Sequence, residues 1–151
     1  MKVLMVCLGN ICRSPIAEGV LHHKAQQQGL DFEVDSAGTA AYHVGENPDS
    51  RMQDTALSHG IDISRQTARQ FIYSDFDEFD VIYAMDDSNY HDIIRQADND
   101  EQRAKVKLLL NEYKPGSDMA VPDPWFGGAE GFETVFQLVD AACDNIVNNQ
   151  N

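Results

Sequence analysis

Short apolar runs recur along the chain at intervals that suit strands separated by helices. Residues 3–6 form a continuous apolar run with two β-branched side chains, and residues 81–85 and 106–109 are two further short, mostly apolar stretches. Such runs are typical of strands that are buried on both faces of a parallel sheet. Residues 32–35 predict one more strand, so we expect four in all.

Between the predicted strands, apolar positions follow helical spacing. Ser14 and Pro15 form a helix-start signal, with serine as the cap and proline at the first helical position, and Gly29 ends the pattern. Further helices are predicted at residues 49–58, 88–97 and 131–148. Loops are predicted at residues 36–48 and 97–103. Because strands alternate with helices, we predict an α/β fold with an open parallel sheet.

The length of the chain indicates the number of domains, and its charge restricts the classes of partner that it could bind. A chain of 151 residues predicts a single domain over residues 1–151, since domains usually span roughly 100–200 residues. The chain carries 11 basic and 25 acidic residues, a formal net charge of −14. A charge of this sign repels nucleic acid backbones and anionic membrane surfaces, so we expect neither as a partner.

The cysteines and the amino terminus both favour a cytoplasmic protein. Three cysteines, at positions 7, 12 and 143, are too few for a disulfide scaffold and suit a reducing compartment. The apolar run at residues 3–8 is too short for a signal-peptide core or a membrane span. We therefore expect a cytoplasmic location.

The loop after the first strand carries the strongest chemical signal. Ligands of open α/β sheets bind beyond the carboxyl ends of the strands, and here the first strand leads into Cys-Leu-Gly-Asn-Ile-Cys-Arg-Ser at residues 7–14. Five residues between Cys7 and Arg13 allow the backbone to curl into a cup whose N–H groups point inward. Together with the following helix amino terminus, such a cup binds a tetrahedral oxyanion.

Within this cup, Cys7 and Arg13 suit nucleophilic chemistry on a phosphoryl group. The inward N–H groups, the helix terminus and the guanidinium all favour the thiolate of Cys7 over the thiol. The planar guanidinium of Arg13 matches two phosphoryl oxygens, which lysine could not do. As an alternative, Cys7 could be a small apolar residue that closes a strand and Arg13 a surface charge. The full string, with its preceding strand and following helix start, favours the chemical interpretation, and the Gly-Lys-Ser/Thr of a nucleotide-binding loop is missing.

Several motifs together resemble the low-molecular-weight protein tyrosine phosphatase family. The strings VCLGNICRS at residues 6–14 and DPWF at residues 123–126 carry the resemblance. Four further motifs follow in the family's order: DSAGT at 35–39, HGI at 59–61, TARQ at 67–70 and AMDDSN at 84–89. The resemblance covers essentially the whole chain. It implies an open four-stranded parallel sheet with helices on both faces, in a flavodoxin-like three-layer α/β/α arrangement.

The resemblance also implies hydrolysis of phosphotyrosine and aryl phosphomonoesters through a cysteinyl-phosphate intermediate. Cys7 would be the nucleophile, Arg13 the phosphate clamp and Asp123 the general acid and base. By themselves, the residues would not single out Asp123 among 25 acidic side chains, because Asp-Pro is a common turn dipeptide. The phosphate-binding loop would comprise Leu8, Gly9, Asn10, Ile11, Cys12 and Ser14. No cofactor and no metal are expected.

Further roles follow from the same resemblance. The wall of a slot for the phosphotyrosine ring would comprise Leu8, Tyr42, Trp125 and Phe126. Phe126 stands where some family members have tyrosine, and it lacks the hydroxyl group that could be phosphorylated. A supporting hydrogen-bond network under the cup would comprise Asn10, Ser14, Ser36 and His59. We further hypothesise that Cys12 captures an oxidised Cys7 as a reversible disulfide and so protects it from over-oxidation.

A cup of this kind could also serve two other functions, which are arsenate reduction and phosphotyrosine binding without catalysis. A thiol-dependent arsenate reductase would need further cysteines to relay the oxidation, and none lies between Arg13 and the predicted closing helix, which holds Cys143. A phosphotyrosine-binding module would need neither a nucleophile nor an acid.

The expected partners are phosphotyrosine proteins, and in bacteria such phosphatases often oppose a tyrosine autokinase of polysaccharide export. We expect a monomer or a weak homodimer.

Overall fold

Four parallel strands form one sheet at the centre of the molecule. The structure is a computed structural model and describes residues 1–124 and 128–150. The strands are β1 (Lys2–Cys7), β2 (Glu33–Gly38), β3 (Val81–Ala84) and β4 (Val106–Leu108). They lie in the order β2-β1-β3-β4, and all neighbouring pairs are parallel. The predicted open four-stranded parallel sheet is therefore confirmed.

Helices connect the strands, and side-chain caps mark where three of them begin. The helices are α1 (Arg13–Gln27), α2 (Ser50–Ser58), α3 (Asp75–Glu78), α4 (Asp87–Ile94), α5 (Asp100–Ala104) and α6 (Ala129–Asn148). Asp49, Asp86 and Asn99 cap α2, α4 and α5 by accepting hydrogen bonds from backbone N–H groups of the first turn. Each cap provides a partner for one of the N–H groups that a helix leaves unpaired at its start.

Both faces of the sheet are covered, which confirms the three-layer arrangement. Val3 and Met5 of β1 are fully buried in a cluster with α1, α2 and α6. Leu4 and Val6, the alternate residues, are fully buried in a second cluster with α3 and α4. Since successive side chains of a strand point to opposite faces, β1 contributes to both hydrophobic layers. This double burial explains why residues 3–6 are continuously apolar.

Two predicted loops differ from the structure. Residues 36–38 were predicted as loop but complete β2, where their backbone pairs with the end of β1. Residues 97–103 were predicted as a surface loop, but α5 begins at Asp100 under the Asn99 cap. Both segments are polar or rich in small residues, so their sequence gives little apolar periodicity.

Over the described residues, no helix has the length and apolarity that a membrane crossing requires.

Candidate active site

The loop between β1 and α1 forms a tight cup at the carboxyl end of the sheet. Asn10 has φ +57°, in the left-handed region that asparagine tolerates better than most residues, so the chain can reverse here. Strand β2 closes the cup from one side, since a Cβ atom on Gly38 would lie 2.7 Å from the Leu8 carbonyl oxygen. Glycine at position 38 therefore permits the close approach of the two backbones.

The sulfur of Cys7 lies at the bottom of this cup, within hydrogen-bond distance of the loop and of the start of α1. Its Sγ is 3.3 Å from the Asn10 backbone nitrogen, whose N–H donates to it. It is also 3.0 Å from the Ser14 hydroxyl oxygen. Cys7 is 3% exposed and Ser14 fully buried, so water competes little with these contacts. The arrangement can stabilise negative charge on the sulfur.

The guanidinium of Arg13 is fixed by two hydrogen-bond acceptors. Its Nη1 donates to Asp86 Oδ2 at 2.7 Å and to the carbonyl oxygen of Val121 at 3.2 Å. Asp86 thus caps α4 with one carboxylate oxygen and holds Arg13 with the other. Burial lowers the pKa of Arg13, but nearby Cys7 and the bond to Asp86 raise it more, so its net pKa lies above the ordinary value. The side chain stays charged and is aimed by its anchors.

A cavity of about 150 Å³ opens above the cup. It is lined by Cys7, Leu8, Gly9, Ile11, Cys12, Arg13, Tyr42, His43 and Asp123. The structure therefore brings the predicted nucleophile, clamp and acid to one cavity. It also places Tyr42, which is 77% exposed, on its wall. Trp125 and Phe126, the other predicted wall residues, lie outside the described residues.

Sequence reasoning missed His43 in this wall. The residue directly follows Tyr42, and its Nδ1 lies 2.8 Å from Glu46 Oε2. A lone histidine in a polar loop gives no periodic or motif signal. Its place beside Tyr42 was the only feature that could have indicated it.

Three predicted members of the supporting network come together beneath the sulfur. The side-chain nitrogen of Asn10 donates to Ser14 Oγ at 2.8 Å and to Ser36 Oγ at 2.9 Å. Two members were missed. Glu18 accepts a hydrogen bond from Ser36 at 2.7 Å, and the backbone N–H of Arg69 donates to Asn10 Oδ1 at 3.0 Å. Glu18 lies four residues after Ser14 on α1, a helical spacing that could have indicated it.

The placement of His59 in this network was wrong. Its Nε2 lies 2.9 Å from Glu133 Oε1, and its ring stacks on Phe136 with centroids 3.8 Å apart. His59 is the cap residue at the end of α2, and this helix packs on α6, so its side chain meets α6. Gln66 lies nearer the cup, where its Nε2 donates to the Pro15 carbonyl oxygen at 3.0 Å.

The two remaining cysteines are buried as neutral thiols. Burial raises the pKa of Cys12 well above its ordinary value, and the charges of Cys7 and Asp49 raise it further. Burial likewise raises the pKa of Cys143 inside α6. Among residues 1–124 and 128–150, no three histidine, cysteine or acidic side chains are grouped so that they could hold a metal ion.

Known proteins match this chain over its whole length. The family model described as low molecular weight phosphotyrosine protein phosphatase matches residues 2–151. A putative low molecular weight protein-tyrosine-phosphatase from Synechocystis is 44% identical over 99% of this chain and 96% of that protein. The human low molecular weight phosphotyrosine protein phosphatase is 43% identical over 94% of this chain and 90% of that protein.

A solved structure agrees with these sequence matches. The crystal structure of a protein tyrosine phosphatase from Entamoeba histolytica, with Hepes in its active site, matches with a TM-score of 0.93. It is 38% identical in sequence, and the match covers 99% of this chain and 96% of that one.

Proposed function

The chain belongs to the low molecular weight phosphotyrosine protein phosphatase family, and on this premise we propose that it hydrolyses phosphotyrosine through a phosphorylated Cys7. The observation that carries the proposal is the meeting of Cys7, Arg13 and Asp123 at one cavity. A thiolate nucleophile, a bidentate cation and a carboxyl group are the parts that a two-step phosphoryl transfer needs.

In the first step, the cup binds the phosphoryl oxygens with its inward N–H groups and the Arg13 guanidinium. The Cys7 thiolate attacks phosphorus in line with the leaving tyrosyl oxygen, so an S–P bond forms as the P–O bond breaks. Asp123, in its acid form, donates a proton to the departing oxygen. The dephosphorylated tyrosine leaves, and the phosphoryl group remains on Cys7.

In the second step, Asp123 takes a proton from a water molecule that attacks the phosphorus. The P–O bond to water forms, the S–P bond breaks, and inorganic phosphate leaves. Cys7 departs as a thiolate, which the Ser14 hydroxyl at 3.0 Å and the Asn10 N–H at 3.3 Å are placed to stabilise. The same carboxyl group acts as acid and then as base, as a reversible pathway requires.

The cavity wall favours an aromatic phosphoester. Leu8 is 43% exposed at the cup and Tyr42 is 77% exposed at the rim, so both present apolar surface to an entering ring. The resemblance assigns Trp125 and Phe126 to the remaining wall.

A net charge of −14 opposes the approach of any anion, so the cup must provide the attraction at short range. We propose phosphotyrosine proteins as substrates, with a tyrosine autokinase of polysaccharide export as the first one to try.

The direct test is phosphate release from a phosphotyrosine peptide, with and without EDTA. We expect turnover that EDTA leaves unchanged and that is far slower on the matched phosphoserine peptide, whose phosphate sits on a shorter stem. Absence of turnover in a folded protein that still binds the peptide would favour the binding module. Reduction of arsenate with a thiol donor, without phosphate release, would favour the arsenate reductase.

Replacing Arg13 by lysine is expected to lower kcat/KM roughly 10²-fold, because an ammonium group lacks the planar fork that matches two phosphoryl oxygens. Asp86→Asn is expected to cost less, since the guanidinium stays while its charged anchor is lost. Initial rates on p-nitrophenyl phosphate measure both effects. Arg95→Lys, at an exposed arginine bonded to Asp92, serves as the matched control and should leave kcat/KM unchanged. An Arg13→Lys enzyme with more than half of the original kcat/KM would contradict the clamp.

Cys12 is proposed to protect the nucleophile. Peroxide oxidises the Cys7 thiolate to a sulfenic acid, and the Cys12 thiol then displaces water to form a Cys7–Cys12 disulfide. Because burial raises the pKa of Cys12, capture should quicken as the pH rises. The Cys12→Ser variant is treated with peroxide and then with a thiol, and its activity is compared with that of the untreated variant. We expect the thiol to restore only a small fraction of the activity. Recovery equal to the wild-type fraction would refute the protective role.

A further inference from the structure

The segment that carries Asp123 is held on both sides of this residue. On one side, the backbone N–H of Val121 donates to the Met85 carbonyl oxygen at 2.8 Å. On the other side, Pro124 is buried against the first turn of α6, where a Cβ atom on Gly131 would lie 3.6 Å from Pro124 Cβ. Asp123 itself is exposed. The position of its backbone therefore depends on where both contacts lie.

The start of α6 differs from the starts of α2, α4 and α5, which side chains cap. Its cap residue is Gly128, which has no side chain that could accept a hydrogen bond. The first N–H groups of a helix have no partner within the helix, and here the cap residue offers them no side-chain oxygen. Contacts with neighbouring elements therefore determine where this turn lies.

One such contact comes from α2. The guanidinium of Arg51 lies over the ring of Phe132, with Cζ 4.7 Å from the ring centroid. A guanidinium within about 6 Å of a ring centroid is attracted to the face of the ring. Phe132 directly follows Gly131 and is 1% exposed, so its ring is fixed in the core. Arg51 thus ties the first turn of α6 to α2.

The same guanidinium is bound to a residue that contacts the cup. Its Nε and Nη2 donate to the two carboxylate oxygens of Asp49, at 3.1 and 2.9 Å. The backbone N–H of Asp49 donates to the carbonyl oxygen of Ile11 in the cup, at 2.7 Å. The bonds from Arg51 lower the pKa of the Asp49 carboxyl group, so the pair stays charged at neutral pH. Contacts therefore run from the cup through Asp49 and Arg51 to the start of α6.

On these contacts, and resting on the proposed role of Asp123 as the acid, we propose that Arg51 is a positioning residue for Asp123. It fixes the start of α6, against which the Asp123 segment packs, relative to the cup that would hold the phosphoryl group. Arg51 is not among the described residues that line the cavity above the cup, so it acts through the position of Asp123. A displacement of about 1 Å at a reacting group can lower a rate by roughly 10²-fold.

The alternative is that Arg51 forms a surface ion pair and nothing more. Its side chain is 47% exposed, and exposed ion pairs contribute little to stability. Arg103 represents this case, because its side chain is 45% exposed and bonds to Asp100 of its own helix, α5. Arg103→Met is therefore the matched control for Arg51→Met.

The test measures kcat/KM on phenyl phosphate and p-nitrophenyl phosphate for wild type, Arg51→Met and Arg103→Met. Methionine keeps an apolar stem and lacks the guanidinium. We expect Arg51→Met to lower kcat/KM about tenfold on phenyl phosphate, whose leaving group needs the acid, and less than about twofold on p-nitrophenyl phosphate. Arg103→Met should leave both values unchanged. A loss that is equal on the two esters, or no loss on either, would overturn the proposal.

Two further variants test the route by which Arg51 acts. When Arg51→Met is combined with Asp123→Asn, the loss on phenyl phosphate should equal that of Asp123→Asn alone, since no acid remains to be positioned. Losses that multiply would mean that Arg51 acts by another route. Arg51→Lys keeps the charge without the planar fork, and we expect it to show most of the tenfold loss. Full kcat/KM of Arg51→Lys on both esters would assign the effect to charge alone and overturn the proposal.

A readout without turnover separates this proposal from the phosphatase assignment. The backbone N–H of Gly131 donates to the Gly128 carbonyl oxygen at 2.9 Å, and its hydrogen-exchange rate, measured by NMR, reports how firmly the first turn of α6 is held. We expect several-fold faster exchange in Arg51→Met and the wild-type rate in Arg103→Met. If the wild type hydrolyses no phosphoester, the phosphatase proposal fails, and the exchange rates alone decide whether Arg51 holds this turn. Equal exchange in all three proteins would overturn the positioning role.

Discussion

Replacing Cys7 by serine is expected to lower kcat for phosphotyrosine hydrolysis by roughly 10⁵–10⁶, as the loss of a nucleophile typically does. The cup stabilises an anion on the sulfur through the Asn10 N–H and the Ser14 hydroxyl. A serine hydroxyl stays neutral in the same place, since its proton is far harder to remove than that of a thiol. The phosphoenzyme therefore cannot form at a useful rate.

Binding should survive this substitution, because the N–H groups of the cup and Arg13 remain. The affinity of Cys7→Ser for a phosphotyrosine peptide, measured by calorimetry, is expected to stay within about tenfold of the wild-type KM. Cys143→Ser makes the same change at a buried cysteine of α6 and should cost stability rather than kcat. Turnover by Cys7→Ser above about 1% of wild type would mean that another group attacks the phosphorus.

Local signals made much of the fold predictable. Buried strands appear in the sequence as apolar runs, and the Ser14–Pro15 signal indicates a helix start without knowledge of the fold. The predicted cap was wrong, because α1 begins at Arg13 with Cys12 as its cap residue. The extension of β2 through Gly38 was missed because it depends on backbone pairing with β1. Small side chains give no sequence signal of such pairing. The start of α5 was missed for a similar reason, since its cap is an asparagine within a polar stretch.

The site shows the same division between local and distant information. The loop proposed to bind phosphate is contiguous, so its residues could be predicted from one string. Glu18 and Arg69 reach the network only because α1 and the segment before β3 pack beside the cup. His59 was misplaced because it was assigned from the family resemblance alone, whereas the end of α2 directs its ring onto Phe136 of α6.

These tertiary contacts also explain how a chain of net charge −14 would hold a phosphate in the proposed site. Asp86 takes one edge of Arg13 while the buried loop around Cys7 excludes water, so the attraction acts at short range in a poorly screened place. The acidic surface contributes at longer range, where salt screens it. An anion that reaches the cup therefore meets local donors rather than the net charge.

The second large effect is expected from Asp123→Asn, which should lower kcat/KM by roughly 10²–10⁴, or about 3–5 kcal/mol, on poor leaving groups. Asparagine cannot give a proton to a departing tyrosyl oxygen. The value of kcat/KM reports the first step, so it should fall most on phenyl phosphate and least on p-nitrophenyl phosphate, whose leaving group needs no acid. The measurement is a series of aryl phosphates with leaving groups of increasing basicity.

The matched control is Asp31→Asn, at an exposed residue before β2, which should leave kcat/KM unchanged across the series. A single-turnover experiment adds the second step, since the same carboxyl group is proposed to activate water. Phosphoenzyme should therefore accumulate in Asp123→Asn with p-nitrophenyl phosphate, because a good leaving group spares the first step and leaves hydrolysis slow. Equal losses on good and poor leaving groups would contradict the acid role, and rapid loss of the phosphoenzyme would contradict the base role.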